Sequence, residues 1–196
     1  LSGADGADGA IQSIYGALDA DDDGSEPADR DAMVRQAISP EPSGTSSGRR
    51  VWSSTDNPVA LKGKSARRGW YVDLPDAGER VLANPERFDG KLVDVLSMAP
   101  SSAFRLATVP ESCMPPATKN FRTTLNALDG ARPRSQLYGE PGTALNGSRI
   151  EVGNVPSVQI KHAGQERSVT FDGTEQEAPR NRLDFVARRA GWRQLQ

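Results

Sequence analysis

The sequence predicts an all-β protein with one short helix, and three observations predict it. Gly 19 and Pro 14 make about one residue in six of the 196, above the roughly 12% of an average protein, which favours turns over long helices. Short runs of β-branched and aromatic residues return at close intervals, separated by Asp-Gly, Asn-Gly or Ala-Gly steps. That is the rhythm of a sandwich, barrel or propeller. Only one segment shows apolar residues at helical spacing.

The elements follow in chain order. The opening LSGADGADGA is small, polar and glycine-rich, so residues 1–10 read as a flexible linker. Ala10-Ile11-Gln12-Ser13-Ile14-Tyr15-Gly16 supplies β-branched and aromatic residues and reads as a strand. An acidic stretch from Asp19 to Glu26 is too charged to bury. In Asp29 to Ile38, residues Met33, Val34, Ala37 and Ile38 sit at i, i+1, i+4, i+5 behind an acidic first turn, and Pro40 ends the run. This spacing predicts a short amphipathic helix, followed by a loop over Ser39 to Arg50.

From Trp52 the pattern is β-like. Gly69-Trp70-Tyr71-Val72-Asp73-Leu74 and Glu79-Arg80-Val81-Leu82-Ala83 flank Pro75-Asp76-Ala77-Gly78, a turn signature that predicts a hairpin. Lys91 to Met98 is apolar enough for a strand inside a packed sheet. Pro100 to Lys119 reads as loop, Phe121 to Leu128 as a strand entering the Asp129-Gly130 turn. Ser148 to Val152, Val155 to Lys161, Arg167 to Phe171 and Phe185 to Leu195 are the later strands.

Composition narrows function. Lys+Arg 24 against Asp+Glu 26 leaves a net charge of -2, and mean hydropathy is -0.59. No basic face for nucleic acid is expected from that balance. No stretch approaches the roughly 18 to 20 apolar residues of a membrane helix, and the start has no signal-peptide pattern. Cys113 is the single cysteine, without a local group to lower its pKa, and His162 the single histidine. No His-based zinc site, nucleophile elbow or phosphate loop accompanies them.

One loop carries candidate metal chemistry. Asp19, Asp21 and Asp23 occupy positions 1, 3 and 5 and Gly24 position 6 of a calcium-loop pattern, so that alternating carboxylates around a tight turn can converge on one hard cation. The ending departs from the pattern, with Arg30 at position 12 and Pro27 at position 9. The Ser25 carbonyl, Asp29, water or another chain must then complete the shell, and a solvated acidic loop is the competing reading. Trp70, Tyr71 and Trp192 are read as packing aromatics, with a sugar- or peptide-stacking surface as the alternative. The pairs Arg49-Arg50, Arg67-Arg68 and Arg188-Arg189 read as rim charges or cross-strand partners.

Several strings stand in a telling order: Gln12-Ser13-Ile14-Tyr15-Gly16, Met33-Val34-Arg35-Gln36-Ala37-Ile38, Asp56-Asn57-Pro58-Val59, and Arg68-Gly69-Trp70-Tyr71-Val72-Asp73-Leu74-Pro75 with Gly78-Glu79-Arg80-Val81. Leu125 to Gly130 and Arg188 to Leu195 follow them. Together they resemble the C-terminal propeller region of PilY-type type IV pilus tip adhesins, over roughly residues 11 to 196. The sequence departs from that family at Ala17-Leu18-Asp19, where Trp-Asp is usual, and before Leu125, where glycines are usual.

The resemblance implies a partial β-propeller over 11–196, the last blades of a larger protein, since a blade takes roughly 40 to 50 residues. It implies extracellular display at a pilus tip after export through the periplasm. Binding to minor pilins and to host or abiotic surfaces, support of pilus biogenesis and twitching motility, and no enzymatic activity go with it. In that family calcium is held by Asp-rich loops elsewhere in the propeller. A quinoprotein-like propeller enzyme is the alternative, although no cofactor-binding constellation can be named for it.

Overall fold

In the computed structural model the described residues are 9–17, 29–46, 48–60, 62, 66–82, 84–88, 91–100, 119–139, 145–153, 157–162, 165–170 and 175–177. They form thirteen strands: β1 (Ser13–Ala17), β2 (Val34–Gln36), β3 (Ile38–Ser46), β4 (Arg49–Ser54), β5 (Gly69–Asp73), β6 (Arg80–Val81), β7 (Glu86–Phe88), β8 (Leu92–Ala99), β9 (Lys119–Asn126), β10 (Arg149–Gly153), β11 (Ser157–His162), β12 (Gln165–Thr170) and β13 (Glu175–Glu177). The all-β expectation is met. Three sheets result, with strand orders β1-β5-β2, β3-β4-β10-β9-β8-β6 with β7 also on β8, and β11-β12-β13.

The predicted helix over Asp29 to Ile38 is corrected. A single 3-10 turn spans Arg30–Ala32, after which β2 pairs in parallel with β5, Val34 beside Trp70 and Gln36 beside Val72. The segment obeys period two: Gln36 points inward and is fully buried, whereas Arg35 and Ala37 face out. A polar residue at the inward position hides the alternation and lets helical spacing imitate it. Gln36 is satisfied on every side. Its amide donates to the carbonyls of Asn57 (2.8 Å) and Asp129 (2.7 Å), and its oxygen accepts from Thr55 Oγ1 (2.6 Å) and the Asn57 N–H (3.1 Å).

The predicted loop Ser39 to Arg50 is also strand. β3 runs antiparallel to β4, with a register shift between Pro40 and Thr45, and it lies at the sheet edge. Proline's missing N–H is tolerated there. The predicted hairpin across Pro75–Gly78 keeps its turn, in which the Glu79 N–H donates to the Asp76 carbonyl at 3.1 Å. Its strands nonetheless part. β5 has β1 and β2 on its two edges, and β6 joins β8 in the second sheet.

The first sheet packs across one face of the second. Ile14, Trp70, Val72 and Leu74 meet Val95 and Leu125 in one buried cluster, with Ile38, Val59 and Val93 at its margin. Trp70 is 2% exposed and its indole N–H donates to the Ala127 carbonyl at 3.1 Å. Two glycines make room for it. A Cβ on Gly16 would lie 2.3 Å from the indole, and so would one on Gly130, whose φ of +67° closes the turn after β9. The other face of the second sheet is covered by the segment around Leu137, Tyr138 and Leu145, packed on Val51, Ile150 and Val152. β8 lies inside this sheet as expected, between β9 and β6/β7.

Candidate functional site

Alternation in the first sheet separates a buried side from an open one. Ile14, Trp70, Val72 and Gln36 turn inward, so Ser13, Tyr15, Tyr71, Asp73 and Arg35 share the outward face. Register then fixes the neighbours: Tyr15 lies opposite Tyr71 and Ser13 opposite Asp73, while Arg35 lies beside Tyr71. Arg30 reaches this face from the 3-10 turn that precedes β2.

The two tyrosine rings stack with centroids 6.1 Å apart and planes 30° apart. The Arg30 guanidinium lies 4.2 Å from the Tyr71 centroid and 5.9 Å from that of Tyr15. It forms an ion pair with Asp73 Oδ1 and reaches Ser13 Oγ at 3.4 Å. Ser13 donates to Asp73 Oδ1 at 2.6 Å, and Arg35 holds Oδ2 at 3.2 Å. Partial burial works to raise the Asp73 carboxyl. The Ser13 hydrogen bond, then Arg30 and Arg35, outweigh it and hold the group below its ordinary range. Tyr15 is 51% exposed, so the assembly faces solvent.

Two further arginines lie inside the second sheet, one on each face. Arg149 is fully buried and pairs through Nη1 with both Glu79 oxygens at 3.0 Å and through Nη2 with Asp76 at 2.9 Å. Ser97 donates to the same Glu79 carboxylate. The guanidinium stacks 3.6 Å from the Phe121 centroid and 5.3 Å from that of Trp52. These rings meet edge-on at 5.4 Å. Burial pulls Arg149 below its ordinary pKa against the opposing pull of Glu79 and Asp76, and a guanidinium remains charged all the same. On the opposite face Arg122 pairs with Asp94 at 2.8 Å, and Thr124 donates to the other Asp94 oxygen at 2.5 Å while lying 3.1 Å from the Tyr138 hydroxyl.

Residues singled out from sequence fall in different places. Asp19, Asp21, Asp23 and Ser25 lie outside the described residues, as do Cys113, Trp192 and the Arg188-Arg189 pair. Asp29 is exposed at the start of the 3-10 turn, and its carbonyl accepts from the Ala32 N–H. One of the five candidate calcium ligands is thus described, and no group of three or more His, Cys, Asp or Glu suited to a metal occurs among the described residues. His162 ends β11. Trp70 is core, whereas Tyr71 is half-buried on the outward face. Arg50 lies 5.5 Å from the Trp52 centroid, and Arg67 donates to the Asp31 carbonyl at 3.3 Å.

Sequence reasoning missed Arg30, Asp73 and Tyr15 as a group, although the alternation of Ser13 with Tyr15 and of Tyr71 with Asp73 lies within strands it recognised. The missing information was that β1 pairs with β5. Tyrosine and arginine, residue types enriched where proteins bind one another, thus stand on an open sheet face beside a carboxylate.

No protein-family profile and no curated protein matches the chain. Among solved structures, the crystal structure of the Pseudomonas aeruginosa PilY1 C-terminal domain is similar, with a TM-score of 0.60 and 16% sequence identity. The likeness covers 86% of this chain and 37% of that one, so the chain spans little more than a third of the solved structure's length. At that identity it is a likeness of fold. Among the described residues, no helix is long and apolar enough to cross a membrane.

Proposed function

We propose that this chain is the C-terminal part of a type IV pilus tip adhesin and assembly factor, a portion of a β-propeller displayed outside the cell. The fold likeness to the PilY1 C-terminal domain over 86% of the chain carries the reading. Sequence blocks in the order of PilY-type adhesins support it independently, because order is not a consequence of shared β composition. On this reading the chain binds minor pilins at the pilus tip and surfaces beyond it, supporting pilus biogenesis, adhesion and twitching motility without turnover of its own. The carboxylates of Asp19, Asp21, Asp23 and Asp29 with the Ser25 carbonyl would hold calcium as a structural ion.

The chemistry fits a binding role. The charged groups in the second sheet, Arg149 with Glu79 and Arg122 with Asp94, are buried and paired with each other, whereas the first sheet offers an open aromatic and charged face. Mixing the purified chain with minor pilins of the same cell should give a complex that survives size-exclusion chromatography. If the folded chain elutes alone at micromolar concentration with every minor pilin, the pilin-binding reading fails. A stoichiometric bound quinone with turnover would replace it by the quinoprotein alternative.

A further inference from the structure

Arg30 is held on the outward face of the first sheet as a ligand is held by a receptor. Three chemistries suited to a planar cation converge on its guanidinium: the Tyr71 ring at 4.2 Å with Tyr15 at 5.9 Å, the Asp73 carboxylate, and the Ser13 hydroxyl at 3.4 Å. Arg35 anchors the second oxygen of Asp73, so the carboxylate keeps its place whether or not Arg30 is there. We propose that this cage is a docking site for an arginine or lysine side chain of a basic partner segment, and that Arg30 fills it in cis until a partner displaces it.

Exposure makes displacement possible. The Arg30 side chain is 45% exposed and Tyr15 is half in solvent, so the occupant can leave without opening the core. Arg149, with the same chemistry and no exposure, cannot. Arg30 also belongs to a three-residue 3-10 turn, not to a ladder whose pairing would be lost when it moves. Charge selects the partner. Once Arg30 swings out, the freed Oδ1 of Asp73 and two electron-rich rings face solvent beside Arg35, which keeps Oδ2, and exposed Asp29 and Asp31 adjoin Arg30 in the chain. A basic segment is drawn to that field and an acidic one is not. The inference rests on this face alone and stands or falls separately from the pilus reading.

An intramolecular occupant lowers a partner's apparent affinity by the fraction of molecules in which the cage is open. Removing Arg30 should therefore tighten binding by about two- to sixfold, the range an exposed contact of this kind can hold closed. The probe is a blocked Gly-Arg-Gly-Arg-Gly peptide, with its citrulline and glutamate counterparts as neutral and acidic controls, titrated into the full chain while the Tyr15 and Tyr71 ring signals are followed by NMR. Arg30→Ala should bind the arginine peptide more tightly than the parent and should bind neither control. Adding Tyr71→Ala should abolish binding, and adding Tyr71→Phe should retain it, because the ring face and not the hydroxyl makes the contact. Equal affinity of parent and Arg30→Ala, citrulline binding as tight as arginine, or indifference to Tyr71→Ala each overturns the proposal. If Arg30→Ala does not fold, Arg30→Gln, which keeps the stem and loses the planar cation, is titrated in its place with the same criteria.

Discussion

Trp70 and Gly16 are coupled by space, and a double-mutant cycle measures that coupling. Emptying Trp70 removes a large aromatic of about 150 to 250 Å², worth roughly 4 to 6 kcal/mol at about 25 cal/mol per Å². It also leaves the Ala127 carbonyl without its indole donor. Because large-to-small aromatic changes cost about 3 to 5 kcal/mol in practice, Trp70→Ala should destabilise by about 4 kcal/mol. Gly16→Ala places a Cβ 2.3 Å from the indole, an overpacking that costs about 1 to 3 kcal/mol. In the Trp70→Ala background that obstacle is gone, so Gly16→Ala should become neutral or slightly stabilising. Gly130→Ala is the control, since its φ of +67° leaves backbone strain of about 1 to 2 kcal/mol even without the indole. The assay is urea unfolding of the four proteins, with equal m-values as the check on two-state behaviour. Additivity of Gly16→Ala and Trp70→Ala within about 0.5 kcal/mol would refute the packing argument.

Three other outcomes are expected. Glu79→Gln breaks the buried pair with Arg149 and should cost about 3 to 5 kcal/mol, while Glu79→Leu with Arg149→Met, which removes both charges, should be more stable than either single change by urea unfolding; the reverse order would refute it. Asp73 has a folded pKa below its unfolded one, so its stabilisation is fully present above the unfolded value and is lost as pH falls through the folded value. The stability gap between the parent and Asp73→Asn should accordingly be constant above about pH 5 and shrink in stronger acid; a gap that widens on acidification would contradict the assignment. Calcium titrated by calorimetry should give weak millimolar binding that Asp21→Ala with Asp23→Ala removes, and heat-free, identical traces would leave a solvated acidic loop.

The strands were legible where one physical pressure dominated. β5 and β8 are dense in apolar residues, and β5 and β9 run into clear turn signals, so their positions follow from the sequence. β2 was illegible because its inward residue is Gln36, whose burial is met by four hydrogen bonds from residues distant in sequence. β3 was illegible because Pro40 and Pro42 forbid a central strand, and nothing local says that the segment becomes an edge. Partner choice was the larger gap. The Pro75–Gly78 turn predicts that β5 and β6 meet, but Glu79 is committed to Arg149 in the second sheet and carries β6 with it. The outward cage was half legible for the same reason: Tyr15 and Tyr71 each stand at outward positions, and only the β1–β5 register brings them together.

Among the described residues one assembly occurs twice, a guanidinium stacked on aromatic rings and fixed by a carboxylate, and burial decides what each copy does. Around Arg149 the rings are Phe121 and Trp52 and the acids Glu79 and Asp76. Water is excluded, so removing one charge strands the other in a medium that cannot solvate it. Such a cluster locks the chain between β5 and β6 onto the second sheet and has no freedom to exchange partners. Around Arg30 the rings are Tyr71 and Tyr15 and the acid Asp73. Solvent can take over every polar contact there when the guanidinium leaves, and exposed ion pairs of this kind are worth about 0 to 1 kcal/mol. The contact is too weak to be needed for folding, yet its geometry is as specific as that of the buried copy. Specific geometry with little net stabilisation suits a reversible contact, and the buried copy behind it keeps the sheet that presents it in place.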